Sequence, residues 1–120
     1  MSKKLLDVSP ARAAAYAAIY PMLVAIAKRH GYALGIHGSM TRDFDLVAIP
    51  WIEEASEPVK LMRAIKRATR TVFTHEAFDH IEKDGKPTQK PHGRIAYSLH
   101  LTNSGMYGGY LDISVMPKTN

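Results

Sequence analysis

The chain has no cysteine, only one tryptophan and fewer acidic than basic residues. Without cysteine, disulfide bonds are excluded, and so are zinc, iron–sulfur and nucleophilic sites built on thiolates. A metal site in this protein must therefore use carboxylate or histidine ligands, and six histidines and eleven acidic residues are present.

Long apolar runs are also lacking. The stretch IYPMLVAIA is short for a bilayer span and contains a proline, and the lysines near the start are soon followed by Asp7 and Pro10 rather than by a leader-like apolar segment. We therefore expect a cytoplasmic protein without a membrane anchor. The formal net charge of +5 favours an anionic partner such as a nucleotide or a nucleic acid.

At 120 residues, of which 46% are apolar, the chain fits one α/β (α+β) domain over residues 1–120. Hydrophobic periodicity predicts a mixed sheet of about four strands with the helices mainly on one face. Pro21 is expected to kink or divide the first helix, and a loop is expected around Lys83–His92. The predicted helices are about Pro10–Arg29 and Glu53–Arg70, and the predicted strands are Tyr32–His37, Asp43–Trp51, Ile95–Leu101 and Tyr110–Met116.

Two acidic residues interrupt the second predicted strand. Asp43 and Asp45 are two positions apart, so a strand projects both to one face while Phe44 points to the other. Asp112 lies in the last strand, LDISV, opposite its apolar neighbours, and joins the pair if the two strands are adjacent. Three carboxylates on one face predict a site for Mg²⁺ or Mn²⁺, which prefer oxygen ligands. A solvent-exposed strand end, with Arg42 pairing the acids, is the structural alternative.

The order of these motifs resembles the nucleotidyltransferase superfamily related to DNA polymerase β, through Gly38–Ser39, then DFDL, then LDIS. The chain also looks like small uncharacterised proteins encoded in tailed-phage genomes, with HGS, RDFDL, PW, KPHGR and LDISVMP as landmarks. The resemblance implies a minimal nucleotidyltransferase-like fold and magnesium-dependent transfer of a nucleotidyl group from a nucleoside triphosphate to an unknown acceptor. It implies that Gly38 and Ser39 contact the triphosphate, that Asp43 and Asp45 are metal ligands, and that Asp112 is the third acid.

Basic residues outside these motifs are further candidates for phosphate binding. Next to the acids and in the KPHGR segment they are Arg42, Lys90, His92 and Arg94. On the second helix, a basic face is either an ordinary solvated surface or a contact for a nucleic acid or a protein acceptor. That face comprises Lys60, Arg63, Lys66, Arg67 and Arg70. A chain of this length is short for a separate substrate-recognition domain, so a homodimer is a further expectation.

Three other interpretations remain open. The repeated His-x-Ser/Thr pattern, beginning at His37 and at His100, resembles the paired motif of metal-independent two-histidine phosphoesterases. A non-catalytic inhibitor or binding module on the same fold would use its basic residues on a nucleic acid or a protein. His75, Asp79 and His80 suggest a second metal site, but no third ligand with suitable spacing accompanies them.

Overall fold

The chain forms a five-stranded mixed sheet with two helices, in a computed structural model that describes residues 9–69, 87–101 and 109–118. The sheet has the order β1-β2-β5-β4-β3, in which β2 and β5 are parallel and the other neighbours are antiparallel. The elements are α1 (Ser9–Arg29), β1 (Tyr32–His37), β2 (Phe44–Pro50), α2 (Pro58–Thr69), β3 (Thr88–Gln89), β4 (Ile95–Leu101) and β5 (Gly109–Val115).

One face of the sheet carries the core. Alternate residues of each long strand, such as Leu46 on β2 and Ile113 on β5, are buried together with apolar residues of both helices, such as Leu23 and Leu61. Because successive strand residues point to opposite faces, both helices lie on the same side of the sheet. The opposite face carries the polar residues of β2, β4 and β5 and is not covered by the two helices, so a ligand has access to it.

Helix α1 is continuous through Pro21 and is not divided in two. Pro21 lies on the exposed side of the helix, so the carbonyl four residues earlier, which lacks an N–H partner at Pro21, is free to contact water. Ile19 and Leu23, on either side of Pro21, are buried in the core. By length and composition alone the span Pro10–Arg29, with a mean hydropathy of 1.3, passes the test for a membrane helix. Within this fold 28% of the span is buried, and its core residues are Tyr16, Ile19, Leu23, Ile26 and Ala27.

The predicted fold class is confirmed, with small differences in the elements. β1 and β4 have the predicted bounds, and the strands around the acids shift by one residue at their ends. The second helix begins at Pro58 rather than Glu53, consistent with proline at the first helical position. The additional strand, β3, has only two residues, too few for periodicity to reveal.

The basic face of α2 needs one correction. Lys66 was predicted to lie on it but is buried, with 4% of its surface exposed. It follows Ile65 and lies one turn after Met62, within the wide buried stripe of the helix. The exposed basic residues of this helix are Lys60, Arg63 and Arg67. Arg70 lies outside the described residues.

Candidate metal centre

Three carboxylates meet on the open face of the sheet, where β2 and β5 run side by side. The parallel register pairs Asp45 with Asp112, and Asp43 lies two residues before Asp45, on the same face. One oxygen of each carboxylate lies within 4.8 Å of the others, and all three residues are half-buried. The three acids predicted to form a site are therefore together, close enough to bind a metal ion.

The electrostatics of this group are unfavourable without a cation. Partial burial raises the pKa of Asp43 above its ordinary value, and the nearby charge of Asp112 and a hydrogen bond to it raise that pKa further. Arg42 and Arg12 lower the pKa of Asp43 in part. Within residues 9–69, 87–101 and 109–118, no lysine or arginine forms an ion pair with any of the three carboxylates. Arg42 and Arg12 therefore act on Asp43 through their charge without a direct ion pair, among the residues that the structure describes.

The turn before β2 approaches the acids through its backbone. Gly38 has a φ of 83° and Met40 a φ of 62°, so both adopt the left-handed region. A Cβ at Gly38 would lie 3.0 Å from Oδ2 of Asp45, so the absence of a side chain leaves space beside that carboxylate. The hydroxyls of Ser39 and Thr41 share a hydrogen bond of 2.8 Å across the turn. Gly38 and Ser39 are exposed at the edge of the acid group.

Helix α1 holds this turn in place through two side chains. The hydroxyl of Tyr16 donates to the carbonyl of Arg42 at 2.7 Å, and the guanidinium of Arg12 donates to the carbonyl of Thr41 at 2.8 Å. The ring of Tyr16 stacks on Phe44, with ring centroids 4.9 Å apart. Burial and the three acids raise the pKa of Tyr16 to about 12, so its hydroxyl stays a hydrogen-bond donor at neutral pH.

Sequence reasoning missed these two helix residues, because their partners are 26 and 29 positions away. It also missed Gly109, where a side chain would overlap the Tyr16 hydroxyl. Helical spacing alone marks Tyr16 as one more core aromatic residue and gives no sign of its contact with the turn.

Ser98 extends the acid group along the sheet toward β4. Its hydroxyl donates to Oδ1 of Asp112 at 2.6 Å, which fixes the orientation of that carboxylate. The strand registers place four residues in one row across the open face, namely His37, Asp45, Asp112 and Ser98. Sequence reasoning missed Ser98: the alternation in IAYSLHL is a signal that it faces away from the core, but only the strand order shows that it neighbours Asp112.

The other predicted phosphate-binding residues lie on two sides of the acids. Arg42 belongs to the turn on the β1 side, whereas Lys90 and Arg94 lie near β3, and Arg94 donates to the hydroxyl of Ser114 at 3.0 Å. His92 is exposed in a short 3₁₀ turn, Pro91–Gly93, with a φ of 68°.

The two histidines of the phosphoesterase pattern are not on adjacent strands. His37 ends β1 and His100 lies near the end of β4, with β2 and β5 between them. Three strand spacings correspond to about 14 Å between the backbones. Thr102 of this pattern lies outside the described residues, and so do His75, Asp79 and His80 of the second metal hypothesis.

Comparison of the chain with protein-family models gives no match, and comparison with curated proteins gives none either. The convergence of the three acids is therefore the feature of this chain that bears most directly on its function.

Proposed function

We propose that this protein binds a divalent metal ion and a nucleoside triphosphate and transfers a nucleotidyl group to a hydroxyl-bearing acceptor. The observation that carries this proposal is the convergence of Asp43, Asp45 and Asp112, whose carboxylate oxygens lie within 4.8 Å of one another. The resemblance of the Gly38–Ser39, DFDL and LDIS motifs to the nucleotidyltransferase superfamily supports the same conclusion.

The donor set fits Mg²⁺ or Mn²⁺. Carboxylate oxygens are hard ligands, and three of them leave coordination positions for water and substrate phosphates. Half-burial and the lack of ion-pair partners among the described residues mean that a cation would relieve repulsion within the group. The metal ion would neutralise charge on the phosphates and orient the reacting oxygens.

In the proposed reaction, the oxygen of the acceptor hydroxyl attacks the α-phosphorus of the triphosphate. The new phosphorus–oxygen bond forms as the bond to the β-phosphate oxygen breaks, and diphosphate leaves. The proton of the hydroxyl passes to a carboxylate, for which Asp112 is our candidate because Ser98 fixes its orientation. Gly38, Ser39 and Arg42, at the edge of the acids on the β1 side, are our candidates for contacts with the outer phosphates.

Isothermal titration calorimetry with Mg²⁺, and then with each nucleoside triphosphate in the presence of Mg²⁺, tests the proposal. We expect Mg²⁺ to bind and Asp45→Asn to weaken it at least tenfold, since the substitution removes a charged ligand of equal size. Glu54→Gln, which neutralises an exposed acid elsewhere, is the matched control and should bind normally. Equal Mg²⁺ affinity in Asp45→Asn and the parent protein would rule out the metal site.

The two alternatives make different predictions in the same assays. A two-histidine phosphoesterase would cleave a cyclic phosphodiester in the presence of chelator, but the separation of His37 from His100 by two strands gives this alternative weaker support. A binding module would instead associate with nucleic acid through Lys60, Arg63 and Arg67 in a salt-sensitive manner, and the acid substitutions would leave that association unchanged.

A further inference from the structure

A polar groove of about 290 Å³ begins at Asp112 and runs over β4 toward β3, on the open face of the sheet. Its polar lining residues are Thr88, Lys90, Ser98, Asp112 and Ser114. The groove lies on the opposite side of the acids from the Gly38–Ser39 turn, because β5, β4 and β3 follow β2 in the strand order while β1 precedes it. A ligand in the groove and a ligand at the turn would thus approach the acids from opposite sides.

The charge along the groove is polarised. Asp112 forms the end nearest the acids, and Lys90 lies at the far end, where its backbone amide donates to the carbonyl of Arg94. The guanidinium of Arg94 donates to Ser114, which lies two positions after Asp112 on β5, or about 7 Å along the strand. One small ligand is therefore long enough to contact both Arg94 and Asp112.

Hydroxyl groups line the space between these two ends. Thr88 and Ser98 are exposed on the open face, and Ser114 is held by the guanidinium of Arg94 at 3.0 Å. The groove lacks a large apolar wall, and its volume is near the lower limit of about 300 Å³ for small-molecule pockets. These properties suit a small ligand with many hydroxyls and one anionic group rather than an extended or apolar ligand.

We infer that this groove binds the acceptor of the proposed reaction, and that the acceptor is a sugar phosphate of mononucleotide size. Its phosphate lies at Lys90 and Arg94, and a free hydroxyl lies at Asp112, next to the metal centre. The inference rests on the proposed function for the role of the ligand as acceptor, whereas binding itself depends only on the groove.

Calorimetry with adenosine 5′-monophosphate in the presence of EDTA isolates the groove from the metal centre. We expect binding that Lys90→Gln weakens about tenfold or more, as for a lost charge-assisted hydrogen bond. Thr88→Val, which keeps the shape of the side chain, should weaken it about threefold. Arg63→Gln is the control, because it removes an exposed positive charge from α2, away from the groove. Adenosine should bind more weakly than the monophosphate.

The outcomes separate this inference from the proposed function. Equal affinities for the monophosphate in Lys90→Gln and the parent protein, or equal weakening by Arg63→Gln, would overturn the groove assignment even when Mg²⁺ binds normally. Lys90-dependent binding in a protein that does not bind Mg²⁺ would support the groove and contradict the proposed function. A sugar phosphate can be a free mononucleotide or the end of a nucleic acid strand, and a short oligoadenylate distinguishes the two. Tighter binding of the monophosphate supports a free acceptor, whereas tighter binding of the oligonucleotide overturns the assignment of a mononucleotide-sized acceptor.

Discussion

Replacing Asp43 by asparagine is expected to stabilise the protein without a metal ion and to destabilise it relative to the parent when Mg²⁺ is present. The raised pKa of Asp43 shows that its ionised form is disfavoured in the folded state, chiefly by burial and then by Asp112. Asparagine resembles the protonated acid, because it is uncharged and its amide is able to donate to the Asp112 carboxylate. The substitution therefore removes repulsion while keeping a hydrogen bond.

The magnitude follows from the geometry. At 4.8 Å, the limit within which the carboxylate oxygens lie, two unit charges repel by about 0.9 kcal/mol in water and by about 3.5 kcal/mol at an effective dielectric constant of 20. Since the acids are only half-buried, we expect about 1 kcal/mol at low ionic strength. For 120 residues, an unfolding entropy of about 2.1 cal/mol/K per residue converts this to a rise in Tm of about 4 °C.

Magnesium should reverse the order of stability. A ligand at one hundred times its dissociation constant stabilises the folded state by about 2.7 kcal/mol, or roughly 10 °C for this chain. The parent protein gains this stabilisation, whereas Asp43→Asn loses most of it because the variant lacks one of the three carboxylates that bind the metal ion. Differential scanning calorimetry measures the difference in Tm between each variant, Asp43→Asn or the control Glu54→Gln, and the parent protein, once with EDTA and once with Mg²⁺. Identical Mg²⁺ shifts in Asp43→Asn and the parent would refute the reasoning.

The sign of the pH dependence provides a second check on the same substitution. A carboxyl with a raised pKa in the folded state binds more protons there than in the unfolded chain. The stability of the parent relative to Asp43→Asn is therefore lost as the pH rises from the ordinary value of 3.8 through the raised value. Near pH 3 the two proteins should differ little, and near pH 7 the variant should be the more stable without metal. A constant difference between pH 3 and pH 7 would contradict a role for the ionisation of Asp43.

Two further substitutions test how the turn before β2 is held. Tyr16→Phe removes the hydrogen bond to the Arg42 carbonyl, so it should cost about 1 kcal/mol of stability and weaken Mg²⁺ binding severalfold. The control Tyr20→Phe loses an equivalent bond to the Leu34 carbonyl and should cost a similar amount of stability with unchanged Mg²⁺ affinity. Equal Mg²⁺ affinities in the two variants would contradict the role of Tyr16. Gly38→Ala places a methyl group 3.0 Å from Asp45 Oδ2 at a φ of 83°, so it should cost about 1–2 kcal/mol of stability in denaturant unfolding and weaken Mg²⁺ binding in calorimetry. Gly35→Ala is the control, because a Cβ there meets nothing within 4 Å, and it should leave Mg²⁺ binding normal. The same Mg²⁺ affinity in both alanine variants would show that the space beside Asp45 does not matter for the metal site.

Short-range patterns were enough to predict much of the fold. Strand patterns identified β1 and β4 with their observed bounds, whereas the predicted start of α2 at Glu53 was five residues before the observed one at Pro58. Lys66 shows the limit of such patterns, because charge suggested exposure while its position in the buried stripe of α2 decided burial. Strand β3, with two residues, is recognisable only from its pairing with β4.

The sequence by itself determined that Asp43 and Asp45 share a face, because strand geometry fixes the side-chain period at two residues. It likewise determined that Asp112 points away from the core, since the residues on either side of it are apolar. Only the tertiary structure decided that β2 and β5 are parallel neighbours, which sets Asp45 beside Asp112 and brings the third acid into the group. The contacts of Tyr16 with the turn and of Ser98 with Asp112 were decided there too, because strand order and helix packing depend on interactions between residues far apart in the chain.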